Sequence, residues 1–559
     1  MRVAFHKAKW IDKVCGAVSA PLLRTPGLFA FMVISAVTIY DYCYLWGPSA
    51  MPYTSYGATF VTGILICNFL FCLLEAWIAL LIYDLLLRWK RWVSIVWLSV
   101  VWIIWGVSWL VDVGALIFYG TGITEDFYFV LQATNGEEAF GFLKTYLTWR
   151  VAGIMALFIT PAVICGFFFS RFGKFLRRRL GSEDQNKYIR FCRGICAGLL
   201  LVIAALVVKG DSEFFLPTPI GKIYMFLTVE SASDLEPQNP TVTPTGYSQP
   251  QKIVVIIGES HARSHSSLYG YNKSTQPRLE RLRADSMLYV VPDPIAPDCH
   301  TLGSFKQLIG TYGCVGSDPC LEWYRNVTFM EVAQKAGYRV SWISNQSPKG
   351  MWNNPIKRIA DMADREIFTT DGNQGWYTLN CDEDLLPLIR KWKDDKRDLS
   401  VVHLMGSHTH YADRYPADRT CFEAEDYSAY PEPQRYWRAT YDNTIRYNDY
   451  IVSQIMKLYR REDAVVIYLS DHGEDIYDSS TDFIGHGLSN NPKSYGATVK
   501  IPMYIYLSAR FKKLHPHQTQ IVKELAESPE PYYTTDLIYL LADFMAVKFE
   551  VPEHKTNED

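Results

Sequence analysis

The stretch at residues 252–260, KIVVIIGES, decides the fold of the second half of the chain. Its five consecutive β-branched residues, at positions 253–257, are typical of a strand that is buried on both faces of a parallel sheet. Gly258 and Glu259 follow directly and end the apolar run with a carboxylate. We therefore predict a buried strand at residues 252–257 with Glu259 beyond its carboxyl end.

Four later segments repeat this apolar composition and are separated by stretches long enough for helices. They are residues 338–343, 399–405, 464–469 and 501–507. Apolar strands alternating with helices predict an α/β domain with a largely parallel sheet that is covered on both faces. The preceding segment is rich in Pro, Thr and Gln, which is linker composition. We predict a soluble domain at residues 251–559 after a bridging segment at 210–250.

Polar side chains follow each of the first four strands. In strand order they are Glu259, then Asn345 and Lys349, then His408, then Asp471 and His472. In open sheets of this kind, the ligand site lies beyond the carboxyl ends of the strands. Carboxylates and imidazoles are ligands that Zn²⁺ takes, and a catalytic zinc keeps one position open. The sequence therefore predicts zinc bound by Glu259, Asp471 and His472, with Thr301 in the fourth position as an activated nucleophile.

Each of these residues alone also fits a purely structural role. Glu259 suits an acid that stabilises the dipole of a following helix, and Thr301 suits a helix cap. His408 and His486 fit surface or core histidines, and Lys349 fits a solvated charge. The occurrence of these residue types together at successive strand ends favours the metal site.

The first 209 residues predict a transmembrane domain of five helices. Its apolar runs have about the length of roughly 20 residues that a helix needs to cross a bilayer, and they lie at residues 26–46, 59–87, 92–119, 151–169 and 195–208. Lys and Arg concentrate before the first run, between the second and third, and between the fourth and fifth. Because cytoplasmic loops retain positive charge, the amino terminus is predicted inside and the soluble domain outside. Three acidic residues, Glu75, Asp84 and Asp112, lie within or near these runs, where a charge usually faces a polar partner or cavity.

The charge balance and the cysteines restrict the partners and the compartment. The net charge of −3 leaves no basic excess for a phosphate backbone, so nucleic acid is excluded as a partner. Five cysteines fall in the soluble half, where an oxidising compartment permits disulfides. We predict two bridges, Cys314 to Cys320 and Cys381 to Cys421, with Cys299 left as a thiol.

The motif from residue 257, IGESHARSHSSLYGY, followed by STQP at residues 274–277, resembles the opening motif of the bacterial phosphoethanolamine transferases. That family combines five membrane helices with an alkaline-phosphatase or sulfatase-like α/β/α domain. The resemblance spans nearly the full chain. It implies a Gram-negative inner-membrane enzyme with a periplasmic catalytic domain, in a group that includes enzymes of polymyxin resistance.

Carried over residue by residue, the resemblance implies that Glu259, Asp471 and His472 bind zinc and that Thr301 is both a ligand and the covalently modified residue. It implies that Asn345 and Lys349 hold the phosphoethanolamine group. His408 and His486 match histidines that serve the phosphate, a second metal or the leaving group. The sequence departs from the family around Thr301, where CHTLG at residues 299–303 stands in place of a Cys-Gly-Thr-x-Thr run.

The implied reaction moves phosphoethanolamine from phosphatidylethanolamine, through phospho-Thr301, to lipopolysaccharide. The acceptor group stays open between a core sugar and a lipid A phosphate, and periplasmic glucan is an alternative acceptor. A glycerophosphate transferase of the lipoteichoic acid synthase type is the alternative enzyme. A sulfatase reaction is excluded, because neither CHTLG nor CLEWY at residues 320–324 fits the formylglycine motif.

Overall fold

The computed structural model describes residues 25–46, 58–119, 148–179, 219, 237–312, 323–346, 348, 355–369, 381–394, 396–479, 484–486 and 492–551. These residues fall into two compact units, one within residues 25–229 and the other within residues 237–551. Several predictions lie outside the described residues: the fifth membrane span at 195–208, Lys349, Cys314 and Cys320.

Among the described residues, the first unit contains four long apolar helices. They are α1 (Pro26–Trp46), α2 (Ala58–Trp89), α3 (Arg91–Tyr119) and α4 (Trp149–Arg179). Each contains one of the first four predicted spans. Within them, Phe69–Trp89, Arg91–Gly114 and Trp149–Phe172 are long and apolar enough to cross a membrane.

Polar groups among these helices are buried with partners. Glu75, Asp84 and Asp112 are each less than a tenth exposed, and Asp84 forms an ion pair of 2.7 Å with Arg88 one turn later. The indole nitrogen of Trp105 donates to the carbonyl of Met32. An acid in an apolar helix therefore has a local partner at Asp84, which accounts for its burial there.

The second unit contains the remaining described helices and strands. Its α-helices are α5 (Pro277–Ala284), α6 (Thr301–Leu308), α7 (Phe329–Lys335), α8 (Pro355–Ala360), α9 (Leu385–Trp392), α10 (Gln434–Leu458), α11 (Pro492–Val499), α12 (Ala509–Leu514), α13 (Pro516–Glu527) and α14 (Leu537–Phe544). Its strands are β1 (Thr241–Pro244), β2 (Lys252–Gly258), β3 (Leu288–Val290), β4 (Pro294–Ile295), β5 (Arg339–Ser344), β6 (Arg365–Phe368), β7 (Asp398–His403), β8 (Ala464–Ser470), β9 (Asp475–Ile476), β10 (Ile484–Gly485), β11 (Met503–Leu507), β12 (Tyr532–Tyr533) and β13 (Val547–Glu550).

Seven of these strands form one sheet in the order β3-β11-β8-β2-β7-β5-β6. The pairs from β8 to β6 are parallel, whereas β11 runs antiparallel to both β8 and β3. All five predicted strands are present, with bounds shifted by one or two residues. The two edge strands, β3 and β6, are short and only partly buried, so their sequences lack the continuous apolar run that revealed the others.

The sheet separates two hydrophobic cores, and β2 contributes to both. Ile253, Val255 and Ile257 pack on one face, and Val254 and Ile256 pack on the other. Successive side chains of a strand point to opposite faces, so a strand covered by helices on both sides must be apolar at every position. The predicted α/β/α class is confirmed.

Two features lie away from the sheet centre. Strand β1 pairs antiparallel with β13, from Thr241 opposite Glu550 to Pro244 opposite Val547. Among the described residues, Cys299, Cys381 and Cys421 form no disulfide, so the predicted Cys381–Cys421 bridge is wrong. Each thiol has its own surroundings: Cys381 is half-buried beside Tyr447, and the exposed Cys421 faces the carbonyl of Arg419 at 3.5 Å.

Candidate active site

Glu259 stands directly beyond β2, at the centre of the sheet. The chain turns sharply after it, because Ser260 adopts a left-handed conformation with φ of 55°. The segment after β7 crosses close to this turn. A Cβ on Gly406 would lie 2.8 Å from the backbone nitrogen and oxygen of Glu259, and φ at Gly406 is 53°. Glycine is therefore required there for the two strand ends to meet.

Asp471 and His472 follow the neighbouring strand β8. Backbone amides of Ser260 and His472 donate to Asp471 Oδ1 at 3.2 and 2.7 Å, which fixes the carboxylate. The Nε2 atom of His472 lies 3.2 Å from Glu259 Oε1 and 3.5 Å from Asp471 Oδ2. Three side chains from two adjacent parallel strands thus share one buried point.

Thr301 is the first residue of α6, and its hydroxyl completes this cluster. The Oγ1 atom lies 3.3 Å from His472 Nε2, and 3.4 and 3.3 Å from the two carboxylate oxygens of Glu259. Asp298 fixes the approach to the helix, since its carboxylate accepts from the backbone of His300 and its carbonyl accepts from Ser304. A Cβ on Gly303 would lie 2.4 Å from the Asp298 carboxylate, so this departure from the family motif has a local packing reason.

The electrostatics of this cluster call for positive charge. Glu259, Asp471 and His472 are each at most about 1% exposed. Burial, followed by the charge of Glu259, raises the pKa of Asp471 to about 8. Burial opposes protonation of His472, but Asp471 and Glu259 raise its pKa to about 10. Burial also acts against ionisation of Glu259, but the hydrogen bond and charge of His472 hold its pKa well below the ordinary value.

The donor set fits a metal ion. The Nδ1 atom of His472 lies 2.7 Å from the carbonyl of Gly473, which requires the proton on Nδ1 and directs Nε2 toward the two carboxylates. Asp471 Oδ2 is buried without a hydrogen-bond partner. Glu259, Asp471 and His472 can each offer one ligand atom, all within 4.8 Å of one another. Carboxylate oxygens, an imidazole nitrogen and a hydroxyl are a donor set that Zn²⁺ accepts.

Two further histidines border this cluster. The ring centroid of His486 lies 4.4 Å from that of His472, and His486 Nδ1 is 2.5 Å from Glu474 Oε2. His472, Glu474 and His486 form a second group with metal-ligand spacing. His408 lies close enough to Glu259 to sense its charge, yet burial outweighs this charge and lowers the pKa of His408 to about 4. The sequence analysis did not predict a site role for Glu474. Its position two residues after the predicted ligand His472 is the signal that could have indicated one.

The carboxyl end of β5 differs in detail from the prediction. The amide nitrogen of Asn345 donates to Asp382 at 2.8 Å, and its carbonyl accepts from Thr369 at 2.5 Å. The next residue, Gln346, reaches the site instead and donates to Glu259 Oε2 at 3.0 Å. The sequence analysis did not predict a role for Gln346, because the family motif matched at the preceding residue, Asn345. Lys349 lies outside the described residues.

Comparisons with known proteins show what the chain is similar to. The family model described as Sulfatase matches residues 251–546. The chain is 24% identical to phosphoethanolamine transferase EptC of Escherichia coli K12 over 494 residues, covering 79% of each. It is 30% identical to EptA of Helicobacter pylori over 296 residues, 49% of this chain and 52% of that protein. The structure of the integral membrane EptA from Neisseria meningitidis superposes with a TM-score of 0.57 at 19% identity, over 93% of this chain and 95% of that one.

These matches confirm two predictions. The resemblance to the phosphoethanolamine transferases, and with it the prediction of an enzyme, rests on relatives that align with most of the chain. The likeness to the membrane-embedded EptA supports the predicted fold class of apolar helices followed by a sulfatase-like domain.

Proposed function

The chain belongs to the sulfatase family, and from this premise we propose that it is a phosphoethanolamine transferase that acts from phosphatidylethanolamine to lipopolysaccharide. The observation that supports this most is the position of the Thr301 hydroxyl, 3.3 Å from His472 and from Glu259. A hydroxyl held against two such groups is placed to attack an electrophile rather than to pack. The relatives that align with 79% of the chain are named phosphoethanolamine transferases.

The proposed reaction has two displacements. Thr301 Oγ1 forms a bond to the phosphorus of phosphatidylethanolamine while the bond to the diacylglycerol oxygen breaks. An acceptor oxygen then attacks the phosphorus, and the bond to Thr301 breaks. Because each step inverts the configuration at phosphorus, the overall transfer proceeds with retention.

The remaining residues have supporting roles in this proposal. Glu259, Asp471, His472 and Thr301 would hold Zn²⁺, which would lower the pKa of the hydroxyl and offset charge on the phosphoryl oxygens. Gln346 fixes the Glu259 carboxylate through its 3.0 Å bond. His486 is the candidate for giving a proton to the departing diacylglycerol oxygen. His408, whose lowered pKa keeps the imidazole neutral, is the candidate for binding the phosphoethanolamine group. For Asn345 and Lys349, we keep the proposal from the family resemblance that they bind the phosphoethanolamine group.

The proposed location is the Gram-negative inner membrane, with the amino terminus in the cytoplasm and the catalytic unit in the periplasm. Four apolar helices precede the catalytic unit, and phosphatidylethanolamine is itself a membrane lipid. Such a lipid donor reaches an enzyme most directly within the membrane plane.

Thr301 variants test the covalent route. Thr301→Ala is expected to abolish both diacylglycerol release and transfer, whereas Thr301→Ser, which keeps a hydroxyl, is expected to retain part of both. The measurement is turnover of labelled phosphatidylethanolamine by the full chain, with mass spectrometry of the peptide that carries Thr301. Appreciable turnover by Thr301→Ala would contradict the proposal.

The donor headgroup is tested with the same preparation. Labelled phosphatidylglycerol is the matched alternative substrate, because a lipoteichoic acid synthase-type enzyme would cleave it. We expect cleavage of phosphatidylethanolamine alone, and preferential cleavage of phosphatidylglycerol would favour the glycerophosphate transferase.

A further inference from the structure

A cavity of about 730 Å³ lies between the segment that follows β7 and the first turns of α10. Its aromatic walls are Tyr415, Phe422 and Tyr436, and the exposed residues Glu423 and Glu425 also line it. Small-molecule sites typically have volumes of about 300–1,000 Å³. The volume of this cavity lies in that range and is much larger than the volume of an ethanolamine group. None of the residues described above as metal ligands lines this cavity.

The chemistry of the walls disfavours an anionic ligand. The thirteen lining residues include two carboxylates, and no Lys, Arg or His occurs among them. The surrounding segment at residues 411–433 carries six acidic residues and two arginines. Lys273 lies over the Phe422 ring, with Nζ 6.0 Å from the ring centroid, but it does not line the cavity. A phosphate would therefore meet negative charge, with no cation in the lining to pair with it.

The cavity is a built structure that one buried amide holds together. Asn443 of α10 is 1% exposed. Its carbonyl accepts from the backbone amides of Cys421 and Phe422 at 2.7 and 2.9 Å, and its amide donates to the carbonyl of Phe422 at 2.8 Å. The same amide donates to the Tyr415 hydroxyl at 3.3 Å. Two of the three aromatic walls are thus fixed to the helix by a single side chain.

A short polar path joins this cavity to the histidines beside Thr301. Tyr411, one residue before the lining begins at Ala412, donates to Glu474 Oε1 at 2.6 Å. The other oxygen of Glu474 contacts His486, whose ring neighbours that of His472. Consecutive Cα atoms are about 3.8 Å apart. The first lining residue, Ala412, therefore lies directly beside Tyr411, which bonds to the Glu474 carboxylate near the candidate active site.

We propose that this cavity binds an uncharged sugar unit of the acceptor, so that a sugar hydroxyl rather than a lipid phosphate receives the phosphoethanolamine group. Aromatic faces pack against the apolar faces of sugar rings, and carboxylates and neutral hydroxyls accept hydrogen bonds from sugar hydroxyls. The proposal rests on the proposed transferase function and selects one acceptor class within it. In the transfer step, the acceptor oxygen forms the bond to phosphorus as the bond to Thr301 Oγ1 breaks. The proton of the acceptor hydroxyl ends on Thr301 Oγ1, which becomes a hydroxyl again.

The test uses the full chain with labelled phosphatidylethanolamine and two acceptors offered separately, dephosphorylated core oligosaccharide and lipid A. Diacylglycerol release reports donor cleavage, and labelled acceptor reports transfer. For Tyr436→Ala, the ratio of transfer to cleavage with the oligosaccharide is expected to fall about fivefold to tenfold through a higher KM, the size of one lost aromatic contact. The matched control is Tyr539→Ala, another exposed tyrosine on a helix beside an aromatic ring, which should leave the ratio unchanged.

A charge variant separates the two acceptor classes. Glu425→Lys should leave lipid A a poor acceptor if the sugar is what binds, whereas a rise in transfer to lipid A would overturn the proposal. An unchanged ratio in Tyr436→Ala would also overturn it. If the wild type cleaves no phosphatidylethanolamine, the transferase function itself fails. In that case, saturation-transfer NMR with the dephosphorylated oligosaccharide still tests the cavity, where a signal lost in Tyr436→Ala supports binding and no wild-type signal refutes it.

Discussion

In the second unit, the buried histidines His265 and His472 each contact two carboxylates, but only His472 belongs to the candidate metal site. His265, from the loop after β2, places Nδ1 2.5 Å from Asp442 and Nε2 3.2 Å from Asp478. His472 places Nε2 alone near Glu259 and Asp471, because a backbone carbonyl occupies its Nδ1. Both clusters combine one imidazole with two carboxylates, and the surroundings of the carboxylates differ.

Around His265, neutral donors and a cation complete every carboxylate. The hydroxyls of Tyr271 and Tyr427 donate to Asp442, and Arg438 pairs with Asp478 at 3.0 Å. Around His472, Asp471 Oδ2 has no hydrogen-bond partner, and no Arg or Lys among the described residues pairs with the carboxylates. A buried carboxylate without compensation is unfavourable. The difference teaches that missing positive charge, rather than the presence of His and Asp, marks a place for a cation.

The largest effect that would sharpen this contrast comes from Asp471→Asn. Removing one of two adjacent carboxylates should lower transfer by at least about 10²-fold, since even the partners of metal ligands are worth about 10–100-fold. The same change should raise the thermal midpoint of the chelator-treated protein, because it relieves repulsion with Glu259. A fall in that midpoint would mean that the two clusters do not differ as described. Metal content by mass spectrometry and thermal unfolding of the full chain are the measurements.

The second effect concerns the structural cluster. His265→Gln leaves Asp442 buried opposite a neutral group, so the free energy of unfolding should fall by about 3–5 kcal/mol. Metal content should stay that of the wild type. Adding Asp442→Asn should restore part of the loss, and the double-mutant cycle separates this coupling from simple packing damage.

The third effect is a pH dependence of stability. Burial opposes protonation of His265, but Asp442 and Asp478 raise its pKa to about 9 from the ordinary 6.5. The folded state therefore binds this proton more tightly than the unfolded chain does. The stabilisation is complete below pH 6.5 and is lost as the pH rises through 9, and this shift corresponds to about 3 kcal/mol. Thermal midpoints across this window should decline more steeply in the wild type than in His265→Gln, and parallel profiles would contradict the assignment.

The smallest effect is expected at Cys421. Because Cys421 is exposed and its thiol is free, Cys421→Ser should change the thermal midpoint and transfer very little. A thiol reagent should label Cys421 in protein isolated without reductant. Cys381, which is half-buried, is the control that should label more slowly. A lower thermal midpoint in Cys421→Ser, together with no labelling of Cys421 in the wild type, would indicate that Cys421 forms a disulfide.

The sequence predicted the centre of the sheet and the metal cluster for the same physical reason. Strands such as β2 and β8 are apolar at every position, so both the run and the polar residue that ends it are visible. β6 at the sheet edge has half-buried residues and escaped prediction. The contact of Gln346 with Glu259 depends on the rotamer of the glutamine and on the position of the carboxylate. Disulfide pairing depends on which loops meet in the folded chain. Local composition encodes neither the rotamer nor the meeting of loops.

Because β1 pairs with β13, this contact can form only after the residues between the two strands have been synthesised. Thr241–Pro244 leaves the ribosome before almost all of the domain, yet its partner is synthesised nearly last. β2 likewise waits for β7 and β8, so its apolar surface stays uncovered during much of synthesis. A nascent chain stalled before β8 would expose this surface without its neighbour, so chaperones that bind exposed apolar strands are expected to act at this stage of synthesis.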